Sequence, residues 1–401
     1  MTSTTLAAVT GQWTPQGELP EAACWYGQYD TALQLRNEKK QVLVVAGADG
    51  RSAGLAKAWL YTPGTGATAT GAWSSAGELP GAPRRLHTAT LLADGDVLVT
   101  GGTSGPGLSP ALTAAAVFHP KTGAWSETTG MNEGRWGHAA VLTADDKVLV
   151  SGGFAVRSRD SARALASAET YDPVKRTWTP VKPMNDARGG HTAVCFKDGR
   201  VLVCGGSAPI APGHEAALAF CELYTPATAA GATGSWSATG NLTAPRSRHQ
   251  ALRLSDTTAL VIGGATPGVP GDGTYDQYAG LGAELYDIGT QKWTAGAPRP
   301  GGRGHHRAVP LGPGKVLVIG GTGAVRDAAG YQSVLLYDTA HDSWTPAAGL
   351  TAGRWAFAAV ALSATEALVA GGTVRSGLAA ADVESDDLTR STELFRIGDG
   401  P

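Results

Sequence analysis

The sequence predicts an all-β fold, a seven-bladed β-propeller of four-stranded antiparallel blades. A short pattern recurs about every 50 residues: Arg-x-x-His, a small apolar strand, Val-Leu-Val with a glycine pair, an aromatic residue and a closing Trp. This period, with paired glycines and one Trp per unit, is typical of propeller blades. The composition agrees, because 56 Gly and 23 Pro in 401 residues suit many short strands joined by tight turns.

The blades can be followed in chain order. The glycine pairs are Gly101-Gly102, Gly152-Gly153, Gly205-Gly206, Gly263-Gly264, Gly320-Gly321 and Gly371-Gly372, with a degenerate Gly47-Ala48 before them. The aromatic residues and tryptophans that follow are Tyr61 and Trp73, Phe118 and Trp125, Tyr171 and Trp178, Tyr224 and Trp236, Tyr286 and Trp293, and Tyr337 and Trp344. The last repeat has Phe395 and no Trp, whereas Trp13 precedes the first repeat. We therefore expect one domain over residues 1–401, its seventh blade formed by about 354–397 plus an N-terminal strand at about 10–16.

Charge and targeting signals exclude several classes of protein. The formal net charge is −2 and no basic patch is visible, which argues against a nucleic-acid partner. No apolar stretch is long enough to cross a bilayer, and the first ten residues lack the positive start of a signal peptide. The four cysteines have no metal-ligand spacing. We expect a cytoplasmic protein with reduced thiols, no membrane association, no metal and no other cofactor.

The repeated polar residues have a structural and a functional interpretation. The strand histidines, namely His87, His138, His191, His249 and His306, are predicted to be buried between blades and bonded to backbone, with a metal or catalytic role as the alternative. The arginines at the start of the innermost strands are Arg84, Arg135, Arg188, Arg246, Arg303 and Arg354. They are predicted to surround one mouth of the central channel and to bind an anionic ligand; the alternative is that each braces a neighbouring loop.

Departures from the repeat point to a pocket at that mouth. In blade 1, Tyr26 and Tyr29 replace the Arg and His and follow Trp25. In the other blades the extra aromatic residues are Trp136, Trp355 and Phe357, and the position before the His holds Arg248 and His305 where most blades have small or apolar residues. We predict a pocket for a flat or apolar molecule with an acidic group, with Tyr26, Tyr29 and His305 as catalytic candidates and Arg248, Trp25, Trp136 and Trp355 joining the six arginines as ligand contacts. The alternatives are a closing seam between blades 7 and 1 and ordinary surface polarity.

The glycine pairs and the Tyr…Trp spacing resemble those of kelch-repeat proteins, of the stand-alone bacterial type, over nearly the whole chain. The resemblance implies three possible functions. The first is a small-molecule enzyme without redox chemistry, an isomerase, cyclase or lyase of biosynthesis similar to bacterial sugar mutarotases. The second is an adaptor for acidic peptides, since arginines at similar positions grip carboxylates in peptide-binding kelch domains, although no BTB or F-box partner domain accompanies this one. The third, a copper radical oxidase, is disfavoured because no Tyr stands directly before the strand histidines. The acidic loop of blade 7, with Asp382, Glu384, Asp386 and Asp387, is expected to be solvated and not to bind calcium.

Overall fold

The computed structural model describes residues 10–26, 32–66, 69–107, 109–158, 161–211, 214–227, 233–266, 282–323 and 328–398. They form seven four-stranded antiparallel sheets, which confirms the predicted propeller. Blades 1 to 3 consist of Leu33–Gln34, Val42–Val45, Lys57–Thr62 and Ala72–Glu78; Thr88–Leu91, Val97–Thr100, Ala115–His119 and Ala124–Thr128; and Ala139–Leu142, Val148–Ser151, Ala168–Asp172 and Thr177–Val181.

Blades 4 to 6 repeat this order. They consist of Thr192–Cys195, Val201–Cys204, Cys221–Thr225 and Ser235–Ala238; Gln250–Arg253, Thr258–Ile262, Ala283–Asp287 and Lys292–Ala295; and Arg307–Pro310, Lys315–Ile319, Val334–Asp338 and Ser343–Ala347. Three hairpins project from the blades: Phe154–Ser158 with Ser161–Ala164, Ser207–Ala211 with His214–Ala217, and Thr373–Arg375 with Asp387–Leu388. The described part of the chain adds one 3-10 turn, Gly377–Ala379, and holds no helix that is long and apolar enough to cross a membrane.

Blade 7 joins the two ends of the chain, as the sequence predicted. It consists of Ala358–Ala361, Glu366–Ala370, Thr392–Arg396 and the N-terminal Gln12–Pro15. Trp13 lies opposite Phe395, and their ring centroids are 5.2 Å apart. The indole N–H of Trp13 donates to the carbonyl of Ala348 in blade 6 at 2.7 Å. The N-terminal strand therefore closes the ring by the same contacts that hold the other blades together.

The core lies between neighbouring blades. The second strand of each blade is apolar on both faces because both faces meet another blade, and in blade 4 Val201, Leu202 and Val203 are fully buried. The repeat tryptophans close these interfaces at the outer strands. Trp236, for example, packs on Tyr224 at 5.1 Å and donates to the carbonyl of Lys182 in blade 3 at 2.7 Å. The repeat tryptophans therefore pack between neighbouring blades.

Candidate functional site

A ring of left-handed residues surrounds the channel at one mouth. Each blade contributes one, and φ lies between 49° and 61° in all of them: Trp25, Leu86, Gly137, Gly190, Arg248, His305 and Ala356. Backbone N–H groups donate from one member to the next, for instance Gly190 to Gly137 and Arg248 to Gly190, both at 2.8 Å. Because all seven blades share this conformation, it belongs to the fold. The identity of the side chain at each place is what differs between blades.

A cavity of about 260 Å³ opens at this ring. Its lining residues are Trp25, Arg85, Leu86, Trp136, Gly137, Phe154, Gly190, Arg248, Gln250, His305 and Arg307. They come from blades 1 to 6, so the cavity lies on the channel axis. We call it the central pocket.

Two aromatic pairs form much of the wall of the central pocket. Trp25 contacts His305 edge-on, with ring centroids 4.8 Å apart at 80°. Trp136 lies against Phe154, with centroids 4.7 Å apart at 36°. The indole N–H of Trp136 is buried and meets no acceptor in the described part of the chain. The pocket therefore offers flat apolar faces and one unsatisfied neutral donor.

Three guanidiniums complete the wall. Arg85 donates its Nε–H to the carbonyl of Gly105 at 3.2 Å, and burial lowers its pKa below the usual value. Arg307 donates its Nε–H to the carbonyl of Phe357 at 2.8 Å. Arg248 pairs with Glu215 at 3.2 Å, and this pair is partly open to solvent. The pocket is therefore cationic, and anions are the ligands that its field attracts.

His305 is a neutral imidazole within this cationic wall. Burial, together with the smaller effect of the charges of Arg248 and Arg307, lowers its pKa to about 3. At neutral pH the ring thus offers one N–H donor and one lone pair. A bound anion would oppose the two guanidiniums and raise the pKa of His305.

The six predicted ligand arginines do not face the channel, and this expectation is wrong. Arg84, Arg135, Arg188, Arg246, Arg303 and Arg354 are all at most 4% exposed. Arg188 is typical, because it donates to the carbonyls of Gly205 and Phe220 and to the carboxylate of Glu222. These bonds hold the glycine turn and the third strand of its own blade. The bracing alternative describes the six residues, since a buried guanidinium needs such partners.

Blade 1 is aligned differently from the prediction. Tyr26, and not Tyr29, occupies the place of the strand His, because a Cβ added to Gly371 would meet the Tyr26 hydroxyl just as a Cβ at Gly152 would meet His191. Tyr26 is 1% exposed, burial raises its pKa, and it is not among the residues that line the central pocket. Tyr29 lies outside the described residues. The chain has an insertion between Tyr26 and the first strand, Leu33–Gln34, and this insertion is why the repeat was aligned wrongly in blade 1.

The structure brings together Trp25, Trp136, Arg248 and His305 of the predicted site but excludes Trp355 from the pocket lining. Trp355 is 1% exposed and packs with Cys24, Ala48 and Ala356. Sequence reasoning missed Arg85, Phe154, Gln250 and Arg307 as lining residues. Two of them carried a signal: Gln250 and Arg307 directly follow the strand His, where Thr88, Ala139 and Thr192 are small.

The strand histidines are buried between blades, as predicted, but the bonds that the structure gives them join side chains and not backbone. The ring Nε2 of His138 lies 2.9 Å from the Thr88 hydroxyl of the preceding blade, and that of His249 lies 2.8 Å from the Thr192 hydroxyl. Burial lowers the pKa of His138 well below its usual value. The imidazole of His138 is therefore a neutral link between blades 2 and 3.

Metal-ligand donors are sparse. Within the described ranges, no three His, Cys, Asp or Glu side chains stand close enough together to hold a metal ion. The described lining of the central pocket includes one imidazole and neither Cys nor Tyr, a donor set that does not fit copper. In the acidic loop, the Asp387 carboxylate accepts the backbone N–H of Ala381 and that of Asp382 accepts the backbone N–H of Glu384.

Comparisons with known proteins agree with the fold. The sequence model of the kelch motif family matches residues 135–185. Kelch-like protein 36 of Mus musculus is 24% identical over 275 residues, which are 68% of this chain and 41% of that protein. Kelch-like protein 23 of Homo sapiens is 31% identical over 137 residues, 34% of this chain and 23% of that protein. The match thus spans less than half the length of these relatives.

Two solved structures are similar in fold. A fungal alcohol oxidase of the AA5 family in complex with copper has a TM-score of 0.70 and 21% identity, with coverage of 96% of this chain and 76% of that one. The structure of YjhT has a TM-score of 0.58 and 18% identity, with coverage of 82% and 99%. At these identities the likeness shows the fold alone.

Proposed function

This chain is a kelch-repeat β-propeller, and we propose that its central pocket binds a small anionic molecule with a flat or apolar part. Because a fold does not imply an activity, the proposal depends on the chemistry of the pocket. One observation carries it: the rings of Trp25 and Trp136 stand among the guanidiniums of Arg85, Arg248 and Arg307 around one cavity.

The two kinds of wall act on different parts of such a ligand. Aromatic faces bury a flat apolar group, and a guanidinium binds a carboxylate through charge-assisted hydrogen bonds worth about 1.5–3 kcal/mol each. The unsatisfied indole N–H of Trp136 would gain an acceptor when a ligand with an oxygen or nitrogen atom binds. The cavity of about 260 Å³ is just below the range of about 300–1,000 Å³ of typical ligand sites, which favours a small metabolite.

Binding is tested by comparing aromatic carboxylic acids with their neutral amides, by tryptophan fluorescence and calorimetry. We expect the acids to bind at least about tenfold more tightly than the amides, equivalent to about 1.4 kcal/mol. Arg248→Gln should reduce this ratio. Arg253→Gln is the matched control, because Arg253 ends the strand Gln250–Arg253 that follows Arg248 and lines a different pocket at the opposite end of the channel. Equal affinity for acids and amides in the wild type would contradict the proposal.

A proton-transfer activity of the isomerase, cyclase or lyase type adds a second requirement, which concerns His305. With a pKa of about 3 in the free protein, its imidazole is a weak base, and general acid–base catalysis works best with a pKa near the working pH. Binding of the anion must therefore raise the pKa of His305. An NMR titration of the ring Cε1 proton with and without a bound acid measures this. If the pKa of His305 did not change on binding, catalysis by His305 would be excluded and only the binding function would remain.

A protein-binding function is the second candidate. The hairpins Phe154–Ser158 with Ser161–Ala164 and Ser207–Ala211 with His214–Ala217 begin beside the central pocket, and Ile210 on one of them is 70% exposed. An exposed apolar side chain on a hairpin beside a cationic mouth suits an acidic peptide with an apolar residue. Competition decides between the candidates: an acidic peptide that binds more tightly than every small acid, and loses affinity in Ile210→Ser, would favour the adaptor.

A further inference from the structure

Arg299 occupies a place that is apolar in every other blade. The equivalent residues, before the innermost strand of their blades, are Leu19, Leu79, Met131, Met184, Leu242 and Leu350, all at most 4% exposed. Their backbone N–H groups make the same kind of bond to the third-strand side of the previous blade, for example Met184 to Ala166 and Leu350 to Gln332. Arg299 is 8% exposed, so a charged side chain is buried where the other blades bury Leu or Met.

The polar atoms around Arg299 lack partners. None of its three guanidinium nitrogens has a hydrogen-bond partner in the described structure, and neither has Nε2 of His306, whose counterparts in His138 and His249 bond threonine hydroxyls. Arg299 and His306 approach each other at Gly263, between blades 5 and 6. A Cβ added to Gly263 would lie 3.1 Å from Nη1 of Arg299 and 3.2 Å from Nε2 of His306.

Blade 6 has also lost the carboxylate that balances its strand arginine. In blades 3, 4, 5 and 7 that arginine pairs with a buried glutamate: Glu169, Glu222, Glu284 and Glu393. In blade 6 the corresponding residue is Leu335, opposite Val318, and in blade 2 it is Ala116, opposite Val99. Arg303 donates to the carbonyl and the hydroxyl of Ser333. Two buried guanidiniums, Arg299 and Arg303, thus stand together with no carboxylate partner in the described ranges.

The charge is costly to bury. Burial, together with the smaller effect of the charges of Arg303 and Arg246, lowers the pKa of Arg299 to about 9, so the side chain still carries its charge at neutral pH. An unpaired buried charge costs free energy unless a counter-charge reaches it. Tyr331, which is 36% exposed and lies 5.6 Å from the Arg303 guanidinium, marks the solvent side of the cluster.

We propose that Arg299, Arg303 and His306 form a second binding site, for a small oxyanion such as phosphate, sulfate or a carboxylate group. The guanidinium of Arg299 donates to two oxygens of the anion, and the neutral ring of His306 donates its N–H. The anion supplies the negative charge that a buried glutamate provides in blades 3, 4, 5 and 7 and that blade 6 lacks, because Leu335 stands at that place. None of these three residues lines the central pocket, so the site is independent of the proposed function.

The test measures thermal unfolding of the whole chain in chloride, phosphate, sulfate and acetate at equal ionic strength. We expect saturable stabilisation of the wild type by at least one oxyanion, with half-saturation below about 1 mM, since a ligand that binds only the native state raises the midpoint by mass action. Phosphate or sulfate acting alone would identify a free tetrahedral anion, and acetate acting alone a carboxylate. Selenate, observed by its anomalous scattering in crystals, should lie within hydrogen-bond distance of Arg299.

Arg299→Leu restores the residue of blades 1, 2, 5 and 7 and should fold. It should unfold at a higher temperature than the wild type in chloride and lose the oxyanion response, with Arg299→Met as a second variant. Arg51→Leu removes an exposed arginine and should leave the response unchanged. The proposal is wrong if no oxyanion stabilises the wild type beyond chloride. It is also wrong if Arg299→Leu lowers the unfolding temperature in chloride, since the chain itself would then supply the counter-charge.

Discussion

Glu222→Gln should lower the free energy of unfolding by about 3–5 kcal/mol, because it removes one charge of a buried ion pair. The side chains of Arg188 and Glu222 are 0% and 3% exposed, and Nη2 lies 2.9 Å from Oε1. The other carboxylate oxygen accepts the backbone N–H of Asn185 at 2.8 Å and its side-chain amide at 2.7 Å. In the variant, the Arg188 charge stays buried without its partner, and the new amide group turns a donor toward other donors.

Urea denaturation followed by circular dichroism measures this loss, because urea, unlike guanidinium, does not screen ion pairs. The matched control is Asp256→Asn. The Lys197–Asp256 pair has a shorter distance, 2.6 Å, but its side chains are 73% and 59% exposed, so its loss should cost at most about 1 kcal/mol. If Glu222→Gln cost no more than the control, the view that these arginines brace their own blades would be refuted.

Three further predictions concern the ring and its histidines. Trp13→Ala should cost about 3–5 kcal/mol and open the ring to limited proteolysis, whereas Trp13→Phe, which keeps an aromatic ring, should cost much less. Gly371→Ala should cost more than Gly107→Ala in urea titrations: both have φ near +60°, but a Cβ at Gly371 meets Tyr26 and one at Gly107 meets nothing within 4 Å. Burial lowers the pKa of His87 to about 3, so the unfolded chain binds its proton more readily, and stability should fall as the pH drops from about 6.5 to 3, at up to about 1.4 kcal/mol per pH unit. His87→Gln should reduce that slope in pH-dependent denaturation, and an equal slope would contradict the assignment.

The blade contacts were predictable because they repeat. The aromatic residue and the Trp of each blade lie opposite each other in register, from Tyr61 with Trp73 to Tyr337 with Trp344. A regular strand alternates its side chains between two faces, so a period in the sequence becomes a period in the packing. Because the pattern is regular, the absence of a Trp in the last repeat indicated that Trp13 takes its place in blade 7.

The central pocket was only partly predictable because its residues stand on irregular backbone. Arg84 and Arg85 are neighbours, yet the first is fully buried within its blade and the second lines the pocket. The left-handed residue that follows, Leu86, interrupts the regular alternation of side chains, so counting from the strand does not tell which guanidinium faces the channel. In blade 1 the insertion after Tyr26 hid the alignment as well.

By itself, the sequence determined the seven-bladed propeller and its closure by the N-terminal strand, because each blade is specified by a local pattern that packs only against its neighbours. Only the tertiary structure decided which charges are compensated. It pairs Arg188 with Glu222, which are 34 residues apart in the chain, and leaves Arg299 without an acceptor in the described ranges. Partners that far apart in the chain meet through the sheet register and the burial of each blade, and burial is what makes an unpaired charge matter.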